Sequence, residues 1–438
     1  MERADTTVAT SQHDVLSGKR KDFCVINKQL IVLLACVFVV MIGLGITVPV
    51  LPFYVERLAL AEGSSHRLVV MHVGMLTGVY ALGQLIFAPV WGRLSDRTGR
   101  RPLILIGIAG YVIAQILFGL ATSLWLLYAA RILGGILSSA TLPVSAAYVA
   151  DMTTDEERGR GMAWLGTAVS LGFVVGPALG GILSRRDLHF GVRFWCFMLD
   201  SFSVPFFVAA ALGLLTLVAA MRWLPESLSV HVERTTGDVT KTDWRTLAVS
   251  LGPLLGLAIV GQFGLAIFEG TIALYAQAKF NYGPGEVGGI FVVCGLVMTV
   301  FQVGAASLLA GRIQEMSQIG AGLGLMGISL GLVVIVHAAP LLFALVALLA
   351  LGMSLVSPNL AALISRGGGG RRVGAALGAQ NAANSLGQAS GPLIGGALFA
   401  WRMNSPYLLT GAFLISVALF IGWKEVATRS SPAYKASK

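Results

Sequence analysis

Long apolar runs, separated by short polar segments, recur along the whole chain. Each run is about 20 residues long, which is the length that an α-helix needs to cross the hydrocarbon core of a bilayer. The runs lack the strict alternation of barrel strands. Only 12% of the 438 residues are charged, against about 25% in soluble proteins, and the mean hydropathy is +0.80. The sequence therefore predicts an all-α membrane protein with twelve spans, at residues 29–53, 70–91, 102–122, 124–150, 160–183, 204–222, 247–274, 286–310, 318–338, 340–364, 373–399 and 406–423.

Basic residues are distributed unevenly between the two predicted faces of the membrane. Of the 31 Lys and Arg residues, 23 fall on one face, 7 fall on the other, and Arg131 lies inside a span. Lys and Arg accumulate on the cytoplasmic side of membrane proteins, so we expect a protein of the cell membrane with both termini in the cytoplasm. The net charge of +10 then serves topology and contact with anionic lipid, not nucleic-acid binding.

A string of glycine and proline positions occurs twice. The pattern G-x-x-x-G-P-x-x-G-G stands at residues 172–181 and returns 215 residues later, at 387–396. Pro143 and Pro358 share that offset. A shared offset indicates a duplicated half, and parallel repeats of six helices build one class of transporter. We therefore predict five parts: a cytoplasmic tail (1–28), an N-terminal six-helix half (29–222), a linker (223–246), a C-terminal six-helix half (247–423) and a second tail (424–438).

The glycines of the repeated string favour close helix packing. Glycine at four-residue spacing lets two helix backbones approach in lipid, and proline removes a backbone donor and bends a helix. A purely structural packing seam is the alternative reading, which the second copy in register weakens. The residues concerned in the first copy are Gly172, Gly176, Pro177, Gly180 and Gly181.

The loop after the second span is the sharpest local signal. Its two glycines permit a tight turn, and its aspartate can accept charge-assisted hydrogen bonds from the arginines around it. For Arg100 and Arg101 alone, a cytoplasmic charge anchor is the favoured alternative, but that reading does not explain the aspartate and the glycines. We predict a conformational latch formed by Gly92, Asp96, Arg97, Gly99, Arg100 and Arg101.

Two charged residues fall within predicted spans. Arg131 lies in the fourth span and Glu269 in the seventh, and such residues usually face the bundle interior. A carboxylate in an apolar environment tends to keep its proton, so Glu269 is a candidate for proton binding and release. The alternatives are snorkelling of Arg131 to the surface and a solvated position of Glu269 at the rim.

The eleventh span is unusually polar. Gln380, Asn384 and Gln388 recur at four-residue spacing and so share one face. A polar stripe on an apolar helix indicates a cavity, although hydrogen bonds between helices are the better explanation for any single residue. The other predicted cavity residues are Asn359 and Gln262, which lies seven residues before Glu269. Further candidates for the cavity are Gln84, Gln115 and Gln302.

Other classes of function find little support. The four cysteines are scattered, and neither a C-x-x-C pair nor a histidine cluster indicates a metal. There is no nucleophile–base pair within the spans and no phosphate-binding G-x-x-x-x-G-K-[ST] loop. We expect neither an enzyme nor an ATP-driven pump, and we expect no cofactor.

Several motifs resemble one family. Gly92-x-x-x-Asp96-Arg97-x-Gly99-Arg100-Arg101 resembles the signature loop of the major facilitator superfamily, although its second copy is reduced to Gly311-Arg312 with Glu315 nearby. The 172–181 string resembles the antiporter motif of the drug:proton antiporter branches. Further matches to that branch are Leu127-x-x-x-Arg131-Ile132-Leu133-Gly134-Gly135, Gly45-x-x-x-Pro49-x-x-Pro52 and Phe268-Glu269-Gly270, the last similar to tetracycline and multidrug exporters.

The resemblance implies a twelve-helix antiporter that exports amphipathic drugs against an inward flow of protons, with the proton gradient as its energy source. Arg131 and Glu269 would then handle protons. Independently of the resemblance, Asp151 and Arg158 are candidates to join the Asp96 loop in an ionic latch, and Asp96 is a candidate to hold the inner gate shut at the positive N-terminus of the eleventh helix. The expected partners are a small-molecule drug, protons and lipid, for a monomer. The alternative is a symporter or facilitator for a small metabolite.

Overall fold

The described residues form twelve membrane-length helices. The computed structural model describes residues 28–153, 157–184, 192–194, 197–199, 201–227, 244–309, 313–367 and 373–430. The helices are α1 Lys28–Ala61, α2 His66–Thr98, α3 Arg100–Gly119, α4 Leu124–Met152, α5 Arg158–Leu183, α6 Val204–Trp223, α7 Trp244–Phe280, α8 Pro284–Leu309, α9 Glu315–Val333, α10 Ala339–Gly367, α11 Val373–Trp401 and α12 Ser405–Ser430.

Each of the twelve predicted spans coincides with one of these helices. Eleven of them are long and apolar enough to cross a membrane. The other, α11, has 29 residues, but the predicted polar stripe lowers its hydropathy. Helix α4 contains a 3₁₀ turn at Ser138–Ala140, and a short antiparallel hairpin, β1 Val192–Phe194 and β2 Phe197–Leu199, precedes α6.

Large apolar side chains cover the outside of the bundle as well as its core. Trp125, Leu215 and Leu419 are among many that are largely exposed. An apolar surface of this extent marks contact with a membrane. Together with the length of the helices, it defines a multi-pass membrane protein.

Glycine brings α5 against α1, and α11 against α7, at equivalent positions. A β-carbon added to Gly176 would lie 2.5 Å from the carbonyl oxygen of Ile42 and 2.7 Å from Cα of Gly45. In the C-terminal half, a β-carbon added to Gly391 would lie 2.6 Å from Cβ of Ala266. Backbones this close leave no room for a side chain. Three further glycines repeat the arrangement: Gly172 against the Phe38 carbonyl, Gly180 against the Ile46 carbonyl and Gly387 against the Ile259 carbonyl.

The same two helices also join the halves to each other. Gly288 of α8 faces the Pro177 carbonyl of α5, and Gly74 of α2 faces the Pro392 carbonyl of α11. These two contacts are reciprocal, as expected for a repeated unit packed on its copy. Both helices stay helical through the proline. The last glycine of each string belongs to these seams. A β-carbon added to Gly181 would lie 3.1 Å from Cα of Gly288, and one added to Gly396 would lie 3.4 Å from Cα of Gly74.

The seams between the halves close the end of the bundle away from the predicted latch. Gln277 Nε2 of α7 donates to Glu56 Oε2 of α1 at 2.6 Å, beyond the seams and at the end away from the predicted latch. Towards the latch, three apolar side chains of the helices that form the seams are exposed: Leu82 of α2, Leu386 of α11 and Leu171 of α5. The described contacts between the halves therefore close the end away from the latch.

Candidate functional site

A cavity of about 230 Å³ lies between the two halves. Its walls come from α1, α2, α4 and α5 of the first half and from α7 and α11 of the second. Most of the lining side chains are apolar. They are Met41, Leu44, Val48, Leu51, Pro52, Val73, Thr77, Tyr80, Ala81, Gln84, Arg131, Leu142, Val169, Phe173, Ala266, Glu269, Gly270, Gln388 and Pro392.

Arg131 enters this cavity from α4. The residue is buried, with 6% of its surface exposed. Its guanidinium carbon lies 5.1 Å from the ring centre of Tyr80 and 5.3 Å from that of Phe118, which are cation–π distances. Nε is enclosed and has no hydrogen-bond partner in the described part of the chain. The structure thus places Arg131 inside the bundle and not at the surface.

Glu269 enters the same cavity from α7, in the opposite half. It is partly exposed to the cavity, and Phe268 and Gly270 on either side of it are buried. A β-carbon on Gly270 would lie 3.1 Å from Cβ of Pro392, so α7 meets the Gly-Pro segment of α11 at this level. The structure thus brings the two predicted proton-coupling residues into one cavity.

A hydrogen-bonded group lies beside Arg131, and of its members only Gln84 was a candidate cavity residue from the sequence. Tyr80 Oη lies 3.1 Å from Ser138 Oγ and 3.3 Å from Gln84 Nε2, and Ser138 Oγ donates to the Gly134 carbonyl. Tyr80 and Gln84 both line the cavity. Gln84 therefore lies where the sequence placed it, and the signal available for Tyr80 was its position four residues earlier on the same face of the second span.

The predicted polar stripe reaches the cavity through Gln388 alone. Gln380 and Asn384 lie two turns and one turn closer to the latch end of α11 and do not line the cavity. Gln262 lies in the seam between α7 and α11, where a β-carbon on Gly387 would lie 3.0 Å from its Cβ. A shared helical face therefore did not mean a shared exposure to the cavity.

The structure corrects the prediction for Asn359. Its Nδ2 donates to Gln318 Oε1 of α9 at 3.0 Å and to the Leu355 carbonyl at 2.7 Å. Both amide hydrogens are therefore engaged within the C-terminal half, and Asn359 does not line the cavity. The alternative, a hydrogen bond between helices, describes this residue.

Arg100 is the centre of the predicted latch. Its Nη1 donates to Asp96 Oδ1 at 2.5 Å and to Ser95 Oγ at 2.6 Å, and its Nε donates to Asp151 Oδ2 at 2.9 Å. The ion pairs tie the loop to the last turn of α4. Asp151 therefore joins the loop as expected, and Arg100 is buried.

Glu226, which the sequence analysis did not single out, caps the start of α3. Its carboxylate accepts hydrogen bonds from the backbone N–H groups of Arg100 and Arg101 at 2.7 Å and 3.1 Å. A carboxylate is favoured at a helix N-terminus. Gly99, with φ +101°, makes the bend between α2 and α3 in a conformation that suits glycine. An added β-carbon there would also lie 2.5 Å from Glu226 Oε2.

The remaining latch residues are more exposed. Asp96 has 62% of its side chain exposed, Arg97 is exposed, and an added β-carbon at Gly92 would meet nothing within 4 Å. Arg101 Nη2 donates to the Met221 carbonyl of α6 at 2.6 Å. The expected contact of Asp96 with the start of the eleventh helix involves Arg371 and Arg372, which lie outside the described residues.

Two repeated six-helix units around one cavity, in contact at the end away from the latch, define a membrane transporter and not an enzyme. Known proteins agree with that class. Residues 33–366 match the family described as the Major Facilitator Superfamily. The chain is 32% identical over 411 residues to Multidrug resistance protein 2 of Bacillus subtilis (strain 168), covering 91% of this chain and 97% of that protein. The chain belongs to the Major Facilitator Superfamily.

Further relatives and solved structures are consistent with this assignment. Quinolone resistance protein NorA of Staphylococcus aureus (strain MRSA252) is 26% identical over 404 residues, covering 91% of this chain and 97% of that protein. The inward-facing, occupied structure of a bacterial homologue of the human lysosomal transporter Spinster superposes with a TM-score of 0.71 at 15% identity, covering 92% and 98% of the two chains. The human organic anion transporter MFSD10 gives 0.64 at 21% identity, covering 90% and 98%. The fold is thus that of transporters in this superfamily.

Proposed function

We propose that this protein is a proton-coupled exporter of amphipathic drugs that works by alternating access. One observation carries the proposal: a largely apolar cavity between the halves receives one carboxylate, Glu269, from α7 and one guanidinium, Arg131, from α4. Apolar walls with a few convergent polar groups are typical of small-molecule sites. The relatives named for multidrug and quinolone resistance support the same substrate class.

Glu269 is the candidate for proton coupling. It is the only acidic side chain among the described residues that line the cavity. A carboxyl group there can hold either a proton or a basic group of the drug, but not both at once. Competition for one carboxylate links the two flows, and exchange of one cation for one proton would move almost no net charge across the membrane.

The seams between the halves supply the moving parts. With both termini in the cytoplasm, as the charge distribution predicts, the latch end faces the cytoplasm, and the drug would enter from that side. Outward opening then requires the Gly181–Gly288 and Gly74–Gly396 contacts and the Glu56–Gln277 hydrogen bond to separate. Drug-sized ligands need about 300–1,000 Å³, so loading also requires the cavity of about 230 Å³ to widen.

Transport in everted membrane vesicles tests the proposal. A fluorescent amphipathic quaternary ammonium compound, which cannot accumulate through its own protonation, is added outside, and an imposed proton gradient, acid inside, drives exchange. We expect accumulation that a protonophore abolishes. Accumulation driven instead by an acid exterior, or equilibration without any gradient, would support the symporter or facilitator alternative and would contradict export by antiport.

A further inference from the structure

Both charged side chains of the cavity lack a partner of opposite charge among the described residues. Arg131 lies in the N-terminal half and Glu269 in the C-terminal half, and both line the cavity. No ion pair within 4.0 Å connects either one to another described residue, or to each other. Charged groups within membrane spans usually pair with one another or mark a substrate path.

No hydrogen-bond acceptor for the in-plane donors of Arg131 lies among the described residues. Tyr80 and Phe118 lie at cation–π distance from the guanidinium, an interaction with the faces of their rings. The N–H donors of a guanidinium lie in its plane, in a fork that matches a carboxylate. Nε has no acceptor among the described residues, although the group is buried. What is missing from this environment is an acceptor with negative charge.

The two charges differ in how they can be removed. A carboxylate loses its charge when it binds a proton, so Glu269 can be neutral in an empty cavity. A guanidinium is not deprotonated in proteins, so Arg131 stays charged in every state. A buried charge without a partner is costly, and a ligand that brings an anionic group to Arg131 recovers that cost on binding.

We propose, on the basis of the export function above, that Arg131 receives an acidic group of the transported compound. Glu269 then binds either a proton or the basic group of that compound. The preferred substrates are amphipathic zwitterions that carry a carboxylate and an amine on an apolar skeleton. An inorganic anion such as chloride has the same charge, and the experiment separates it from an acidic group of the substrate.

A matched set of ligands tests this on the unmodified protein. The set is an aromatic zwitterion with an amine and a carboxylate, its methyl ester, and its analogue without the amine. Binding to the purified protein in nanodiscs is measured by calorimetry at one pH. Loss of a charge-assisted hydrogen bond should weaken binding of the ester at least about tenfold. An ester that binds within about twofold of the zwitterion would overturn the proposal.

Variants then assign the effect to Arg131. Arg131→Gln should bind the zwitterion and the ester equally, because no cation distinguishes them. Arg131→Lys keeps the positive charge but not the planar fork of donors, so it should retain part of the preference for the zwitterion over the ester. It replaces Arg131→Gln if that variant does not fold. Gln388→Ala is the matched control: it removes a neutral polar group of the same cavity, so both affinities should change by one factor. If Arg131→Gln still bound the zwitterion more tightly than the ester, carboxylate binding could not be assigned to Arg131.

Two further readouts separate the remaining explanations. If chloride occupies Arg131, replacing chloride by gluconate weakens binding of the ester, and this result overturns the proposal. In everted vesicles, export of the ester as fast as the zwitterion would reject the zwitterion preference and leave drug export standing. If none of the three compounds binds or moves, the proposed export function fails, and the substrate assignment fails with it.

Discussion

Arg100 and Glu315 occupy equivalent positions in the two halves, 215 residues apart, and carry opposite charges. Arg100 Nε lies 2.9 Å from Asp151 Oδ2, and Arg366 Nη2 lies 2.5 Å from Glu315 Oε1. Asp151 and Arg366 are also 215 residues apart. The same ion pair therefore joins the start of α3 to the end of α4, and the start of α9 to the end of α10, with its charges exchanged.

This relationship predicts different outcomes for reversing the two pairs. Arg366→Glu should slow transport because it places two like charges together, and adding Glu315→Arg should restore the rate. The partners are 64% and 34% exposed, and exposed pairs contribute about 0.2–1 kcal/mol, so unfolding temperatures should change little. Reversal of Arg100 and Asp151 should not restore transport, because Arg100 also donates to Ser95 and Asp96. Equal rescue of both pairs would show that these extra bonds are unimportant.

Asp96→Asn should abolish transport and leave the amount of protein in the membrane unchanged. The side chain is 62% exposed, so losing the charge of its ion pair with Arg100 should lower the free energy of unfolding by no more than about 1 kcal/mol. Arg93→Gln, at an exposed position in the same loop, is the control. If the loop acts only as a charge anchor, the arginine variant should be the more harmful one. Transport rates and membrane levels of both variants distinguish the two roles.

Gly176→Ala should destabilise the protein, while Gly166→Ala on the same helix should not. The new methyl group at position 176 would lie 2.5 Å from the Ile42 carbonyl oxygen, whereas nothing lies within 4 Å at position 166. Overpacking of this kind costs about 1–3 kcal/mol, and alanine is the better residue in an open helix. Thermal unfolding in detergent measures both. Equal stability of the two variants would show that α1 and α5 are not packed closely.

Glu269→Gln should uncouple transport from the proton gradient. Glutamine cannot bind and release a proton, so accumulation against a gradient should stop while exchange of drug across the membrane continues. Glu286→Gln is the control, because Glu286 is exposed on α8 and does not line the cavity. Drug flux at several imposed pH differences provides the measurement. An unchanged response in Glu269→Gln would assign proton coupling to another residue.

The sequence predicted the helices well and the cavity only in part. Hydropathy and length located all twelve spans, because each helix satisfies its own backbone in lipid. Glycine spacing predicted the close seams, because the small residues that permit close approach lie on a single helix and are visible in its own sequence. The polar residues were less predictable: Gln388 lines the cavity, whereas Asn359 bonds to Gln318 forty-one residues away.

The sequence by itself determined the number of helices, the duplicated plan and the residues able to carry charge within the membrane, since these depend on composition and local spacing. Only the tertiary structure decided that Arg131 and Glu269 share one cavity, that neither has a charged partner in the described part of the chain, and that the closed end lies away from the latch. Those facts depend on how helices more than a hundred residues apart pack, and no local pattern specifies that.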